Sequence, residues 1–159
     1  MGRKNHIDSL DARLIRLLAE EGRTSVGDLA AELDVSAPTV RSRMKSLEAS
    51  GMLKVGSQID ASRYPELIVA LIGLNVQSCG HLDDILEKLA ALEPVTWAAV
   101  VTGRYDVMVE AVVRGGMADL YHITTDLIPT VGNVVKSETF VIMKSVDKWM
   151  GPPRAVEEA

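Results

Sequence analysis

A chain of 159 residues accommodates one medium domain or two small ones. With 47% apolar and 25% charged residues the composition is that of an ordinary globular protein, which excludes disordered, collagen-like and low-complexity classes. The longest apolar run, 67–74, is far short of the ~18 residues that span a bilayer, so no membrane association is expected.

The N-terminal MGRKNHIDS lacks the apolar stretch of a secretory signal, and a single cysteine, Cys79, cannot build a disulfide framework or a multi-cysteine metal site. A cytoplasmic protein without metal or other cofactor is the expectation. The net charge of -5 argues against nucleic acid until it is divided. Residues 1–63 carry ten Lys/Arg and nine Asp/Glu, whereas residues 64–159 carry seven and thirteen. Between Ser36 and Lys54, Arg41, Arg43, Lys45 and Lys54 face only Glu48, a local excess of +3. The acidity belongs to the second part, and the first holds a basic stretch.

Residues 8–54 predict three short helices. The first carries Leu10, Leu14, Ile15, Leu17 and Leu18 at helical spacing, with Asp8 or Ser9 as N-cap, and stops at Glu21-Gly22. The second opens on the capping pattern Ser25-Val26-Gly27-Asp28 and places Leu29, Ala30 and Leu33 on one face. The third opens at Ser36, carries Pro38 in its first turn, shows Val40, Met44 and Leu47 as its apolar stripe, and ends at Gly51. Asp34 and Val35 alone separate the second and third, the connection of a helix-turn-helix. Met52 to Val55 reads as a short strand or wing, followed by a linker towards Pro65.

The second part has an internal echo. A strand over 67–77, a helix over 81–92 and a strand over 95–101 are followed by a turn at Gly103. A strand over 105–113, a helix from Met117 to Ile128 and a strand over 134–146 complete it. The order βαββαβ predicts a ferredoxin-like antiparallel sheet with both helices on one face. Ile142, Met108, Met143 and the apolar first strand argue against a fully solvated opposite face, so dimerisation through the sheet is expected. The fold class is therefore α+β. A winged helix-turn-helix domain (1–55) and a linker (56–66) precede a βαββαβ domain (67–148), with a flexible tail (149–159); the effector-binding and oligomerisation role of 67–148 is what a family resemblance implies.

A helix reads the major groove with the side chains that point away from its own core. At 100° per residue from Val40, Met44 and Leu47 fall on the core side, Thr39, Ser42 and Lys45 point away, and Arg41 and Arg43 lie on opposite flanks. Small hydroxyls approach bases or phosphates closely, and the cations reach guanine edges or neutralise phosphates. The helix starts at Ser25 and Ser36 offer backbone N–H groups to phosphate. Ser25, Ser36, Pro38, Thr39, Arg41, Ser42, Arg43 and Lys45 form the candidate DNA-binding set. A generic three-helix interaction module with a solvated basic face is the competing reading.

With both parts in view, the strings LDARLIRLLAEEGRTSVGDLAAELDVS, VRSRMKSLEASGML, VVTGRYDVMVEAVV and VVKSETFVIMKSV closely resemble the Lrp/AsnC family, the feast/famine regulators, over residues 8–148. The resemblance implies a non-enzymatic transcription regulator that binds double-stranded DNA at a pseudo-palindromic operator. It also implies a homodimer formed through the βαββαβ domain, assembling further to tetramers or octamers. A small effector, typically an amino acid, then binds at interfaces between effector domains. Arg43 matches a characteristic arginine of the recognition helix, and Gly103 and Asp106 match the GxxD turn.

The residues agree with a ligand near Thr102, Gly103, Arg104, Tyr105 and Asp106. Gly103 permits close backbone approach, Tyr105 offers a ring and a hydroxyl, Asp106 a counter-charge for an ammonium, and Arg104 one for a carboxylate. Aspartate also commonly ties down its own turn, and for Asp106 that structural reading stands first. Ser137 and Thr139 on the last strand are secondary candidates. An Lrp-like sirohaem decarboxylase would need a basic, histidine-containing pocket, and residues 64–159 show no His/Arg cluster. A third reading is an effector-sensing assembly module whose DNA-binding half is vestigial. RNA reading by exposed strand aromatics finds only Trp97 and Tyr105 on the middle strands, and Cys79-Gly80-His81 is too sparse for a metal site.

Overall fold

A computed structural model describes residues 7–153 and divides the chain into two units, one ending at Ser57 and the other beginning at Gln58. The first unit holds α1 (Ser9–Glu20), α2 (Val26–Leu33) and α3 (Ala37–Ala49). Asp8 caps α1 by accepting from the Asp11 N–H while the Asp11 carboxylate accepts from the Asp8 N–H, a reciprocal capping box. Ser25 and Ser36 cap α2 and α3, each accepting from the N–H three residues on. Asp34 takes the left-handed conformation (φ 55°) that aspartate tolerates, and this turns the chain from α2 into α3. Leu14, Leu18, Leu29, Leu33, Val40 and Leu47 meet in one core.

The expected strand or wing over 52–55 does not form. Gly51 (φ 73°) reverses the chain, the Met52 and Leu53 N–H groups both donate to the Leu47 carbonyl, and the two side chains pack onto the three-helix core. Their apolar surface is drawn into that core rather than to a partner strand.

The second unit runs β1 (Ile59–Asp60), β2 (Ile68–Val76), α4 (Leu82–Ala90), β3 (Val95–Val100), β4 (Val107–Val113), α5 (Met117–His122), α6 (Ile128–Thr130), β5 (Val134–Val141) and β6 (Trp149–Met150). The main sheet is antiparallel in the order β3-β4-β2-β5, the ferredoxin-like arrangement. Its helix side buries Ala70, Ile72, Leu74, Val107, Val109 and Ala111 against Ile85, Leu89, Leu120, Ile123 and Ile128. Between α5 and α6 the chain makes one π turn, Ile123–Leu127, within the span expected to be a single helix. Thr124 and Thr125 donate their hydroxyls to the carbonyls of Leu120 and Tyr121, a pattern that bends helices, and Pro129 supplies no N–H to the ladder.

Two boundaries differ from expectation in a way that matters. Ile59–Asp60, within the expected linker, pairs with Trp149–Met150, which lie in the expected flexible tail. Met150 is buried with Ala61, Val69 and Val112, so this small ribbon covers one end of the sheet's outer face. The last long strand ends at Val141, not 146, because the chain leaves β2 there and turns back through Asp147 (φ 53°) to form β6. Lys148 fixes the return by pairing with buried Glu110, whose other oxygen accepts from the Thr96 hydroxyl. The remainder of the tail, 154–159, lies outside the described residues. Away from the ribbon the outer face stays apolar and open, with Trp97 50% and Phe140 43% exposed.

Ile72, fully buried at the centre of β2, carries the main core. Replacing it with alanine is expected to lower unfolding stability by about 2–5 kcal/mol in urea titration, and a decrease under about 1 kcal/mol would contradict this core assignment.

Candidate functional site

The first candidate site is built on α3. Val40 and Leu47 are buried, whereas Ser36, Pro38, Arg41, Ser42 and Lys45 lie towards solvent and Thr39 is half-buried. The Ser36 hydroxyl accepts from the Thr39 N–H at 3.3 Å and meets the Thr39 hydroxyl at 2.8 Å, so both are engaged in starting the helix. Ser25 is engaged likewise, accepting from the Asp28 N–H and donating to its carboxylate. The outward face thus presents Arg41, Ser42 and Lys45, with two capped helix starts beside it.

Arg43 departs from this set. Its guanidinium donates to Asp8 Oδ2 at 2.5 Å and to both Asp11 oxygens at 3.3 Å, tying α3 to the first turn of α1. The physical reason lies in the helical wheel, where position 43 stands about 60° from Val40 and about 40° from Leu47, close to the core stripe. The hydrogen bond to Asp8 pushes the Arg43 pKa further up, and at Asp8 the Asp11 N–H, with Arg43 adding to it, holds the carboxyl below its usual range. Asp11 itself is buried. Sequence reasoning saw Asp8 only as a cap and missed both carboxylates as partners of Arg43; their i, i+3 spacing on one face of α1 was the available signal.

The second candidate site is the β3–β4 turn. Gly103 (φ 128°) takes a conformation that other residues rarely adopt, and Tyr105 and Asp106 fold into the turn rather than starting the strand. The Asp106 carboxylate accepts from the Val76 N–H at 2.9 Å. A bulge between Asn75 and Val76 breaks the β2–β5 register there, so the carboxylate supplies the acceptor for a backbone group at that break. The Asn75 amide donates to the Arg104 carbonyl, closing the other side of the turn. Asp106 is therefore engaged in structure, though through the backbone of β2 rather than that of its own turn as expected.

The Tyr105 ring lies flat against Gly73, where a Cβ would come within 2.6 Å of it. Its hydroxyl donates to Glu138 Oε2 at 2.6 Å, which raises the phenol pKa above its ordinary value. Arg104 meets the same carboxylate at 3.2 Å and stacks over the Tyr105 ring, and Phe140 meets that ring edge-on at a 6.2 Å centroid distance. Ser137 and Thr139 do not join this cluster. They pair with Leu74 and Ile72, core residues of the helix side, whereas Glu138 pairs with Gly73 and belongs to the outer face. Glu138, Phe140 and Gly73 are the members that the sequence reading missed. Strand alternation from Ser137 and Thr139 could have shown that residues 138 and 140 share the other face.

A separate cleft of about 660 Å³ opens on the helix side, lined in part by Leu92, Glu93, Val113, Asp119, His122 and Leu127. The described histidines, His81 and His122, each stand beside an aspartate of the following turn. Among the described residues no group of three or more His, Cys, Asp or Glu could hold a metal ion, and no helix is long and apolar enough to cross a membrane.

Comparison with known proteins covers both candidate sites. The model of the AsnC-type helix-turn-helix domain matches residues 7–48, and that of the Lrp/AsnC ligand binding domain matches residues 68–150. An HTH-type transcriptional regulator of Pyrococcus furiosus is 31% identical over 90% of this chain and 95% of its own. The regulatory protein AsnC of Escherichia coli is 28% identical over 87% of this chain and 91% of its own. The solved structure of E. coli AsnC superposes with a TM-score of 0.65 at 26% identity, covering 88% of this chain and 94% of that one. A Neisseria meningitidis transcriptional regulator solved as a complex with L-Met shares the fold, with a TM-score of 0.70 at 18% identity over 93% and 97% of the two chains.

Asp106→Ala removes the acceptor for the Val76 N–H and is expected to cost about 1–2 kcal/mol of stability by denaturant titration. Unchanged stability would show that the carboxylate is not part of the scaffold.

Proposed function

The chain belongs to the Lrp/AsnC family of helix-turn-helix transcriptional regulators, and from that premise we propose that it acts by binding alone, as a dimer on a pseudo-palindromic DNA operator. The observation that carries the reading is the outward side of α3, where Arg41, Ser42 and Lys45 stand together opposite buried Val40 and Leu47. These residues are the ones we assign to base edges and phosphates, with the helix starts at Ser25 and Ser36 offering N–H groups to the backbone. Pro38 and Thr39 shape the first turn beside them. A two-fold dimer doubles the protein–DNA interface and sets the half-site spacing. The open apolar part of the outer sheet face, with Trp97 and Phe140, is the surface we assign to dimerisation, and tetramers or octamers would extend from it.

For the effector we propose an amino acid, held at an interface between effector domains beside the turn of residues 102–106. Arg104 and Glu138 offer charges of opposite sign at 3.2 Å, matching the carboxylate and ammonium of a zwitterion, and Tyr105 and Phe140 offer apolar faces for its side chain. Glu138 thus takes the ammonium-binding part first considered for Asp106. Arg104 is largely exposed and Glu138 partly so and also held by Tyr105, and a pair of this kind contributes about 1 kcal/mol, so a ligand that replaces both partners sacrifices little by separating them. A cytoplasmic location goes with this function.

Arg41→Ala and Lys45→Ala are each expected to weaken binding to a selected operator duplex by about 1–3 kcal/mol. The slope of log affinity on log salt should fall by about 0.9 for each phosphate that a variant no longer neutralises. Fluorescence anisotropy over a salt series measures both quantities, and folded variants with unchanged affinity and slope would overturn the assignment. Thermal-shift screening against the proteinogenic amino acids is expected to yield a hit that Arg104→Ala abolishes. A hit insensitive to that change would place the ligand elsewhere.

A further inference from the structure

Of the three cations on α3, Arg41 and Lys45 face outward, and Arg43 is held within its own domain by two carboxylates. We infer that Arg43 is a positioning residue for DNA reading, a clamp that sets the pitch of α3 against α1 and does not itself touch DNA. The inference rests on the DNA-reading function proposed above and reverses the part that a recognition-helix arginine would ordinarily be given.

Three observations carry it. First, the carboxylates are themselves fixed. Asp8 accepts from the Asp11 N–H at 2.8 Å and Asp11 from the Asp8 N–H at 3.3 Å, so the capping box holds both in place before Arg43 arrives. Second, the Asp11 side chain is only 8% exposed. Moving Arg43 to a phosphate would leave that buried carboxylate without its cationic partner and with the Asp8 N–H as its remaining donor, which costs more than parting a fully exposed pair. Third, Arg43 with Asp8 and Asp11 sums to one negative charge, so a phosphate approaching this guanidinium meets net repulsion. Arg41 and Lys45 form no such carboxylate pairs among the described residues, and the phosphates belong to them. The clamp joins the middle of α3 to the first turn of α1, and the direction of the outward face follows from that tie.

The test uses the full chain and a selected operator duplex, with an unrelated duplex as reference. Asp8→Asn retains a good N-cap, so α1 persists, but it weakens the clamp and removes a negative charge near the DNA. If Arg43 positions α3, the ratio of operator to unrelated-duplex affinity falls about tenfold, as for one misaligned base pairing, the charge effect on both duplexes cancelling in the ratio. If Arg43 instead reaches the DNA, freeing it leaves that ratio unchanged or raises it, and either result overturns the inference. In Arg43→Gln the salt slope should stay that of the unaltered chain while operator affinity drops. A slope reduced by about 0.9 would mean that Arg43 neutralises a phosphate and would likewise overturn it. Should Arg43→Gln fail to fold, the direction of the Asp8→Asn effect still decides. An unaltered chain that shows no preference for any sequence would remove the DNA-reading function itself, and this role with it. That outcome differs from an unaltered chain that prefers its operator and keeps the full preference as Asp8→Asn.

Discussion

A guanidinium held between two carboxylates on the first turn of a neighbouring helix can satisfy them only from one direction, and that geometry governs the first unit. Asp8 and Asp11 are locked by the capping box, Arg43 reaches them from α3, and the apolar stripe of α3 is thereby held against Leu14 and Leu29. What remains outward is set by helical periodicity: Arg41, Ser42 and Lys45. On the proposed reading, the surface assigned to DNA is aimed by an ion pair that does not itself touch it. Packing fixes which residues are buried, and the proposed clamp adds a polar tie between the middle of α3 and the start of α1.

The second unit solves a different problem with similar means. A four-stranded sheet with helices on one side leaves a second face to be covered, and the chain covers one end itself with the β1–β6 ribbon. The Lys148–Glu110 pair anchors that ribbon over a buried carboxylate, again a case where a charge is tolerated inside because its partners are present. The rest of the face keeps exposed aromatics and, at its rim, the Arg104–Glu138–Tyr105 cluster. The surfaces assigned to ligand and assembly therefore adjoin on one side of the sheet.

Periodicity and capping made the architecture legible in the sequence. The stripes at Leu14–Leu18, Leu29–Leu33 and Val40–Leu47 marked three helices, and alternation from Val107 to Val113 marked a half-buried strand. What local pattern could not supply was partnership at long range. Arg43 lies 32 residues from Asp11 along the chain, and Glu138 lies 33 from Tyr105. The same limit applies to Met52 and Leu53, whose pattern suits a strand but whose side chains found a helical core. It applies again to Trp149–Met150, too short to register as a strand until Ile59–Asp60 is alongside. For Ser137 and Thr139 what the sequence left open was parity, since a hydroxyl on a strand is informative only once its face is known.

The central claim is that Arg41, Ser42 and Lys45 read DNA while Arg43 stays home to aim them. The structure of the full chain bound to a selected operator duplex tests it most directly. This account requires α3 in the major groove, Arg41 and Lys45 on bases or phosphates, and the Arg43 guanidinium still between Asp8 and Asp11. An Arg43 guanidinium found on the DNA, with those carboxylates left behind, would contradict it.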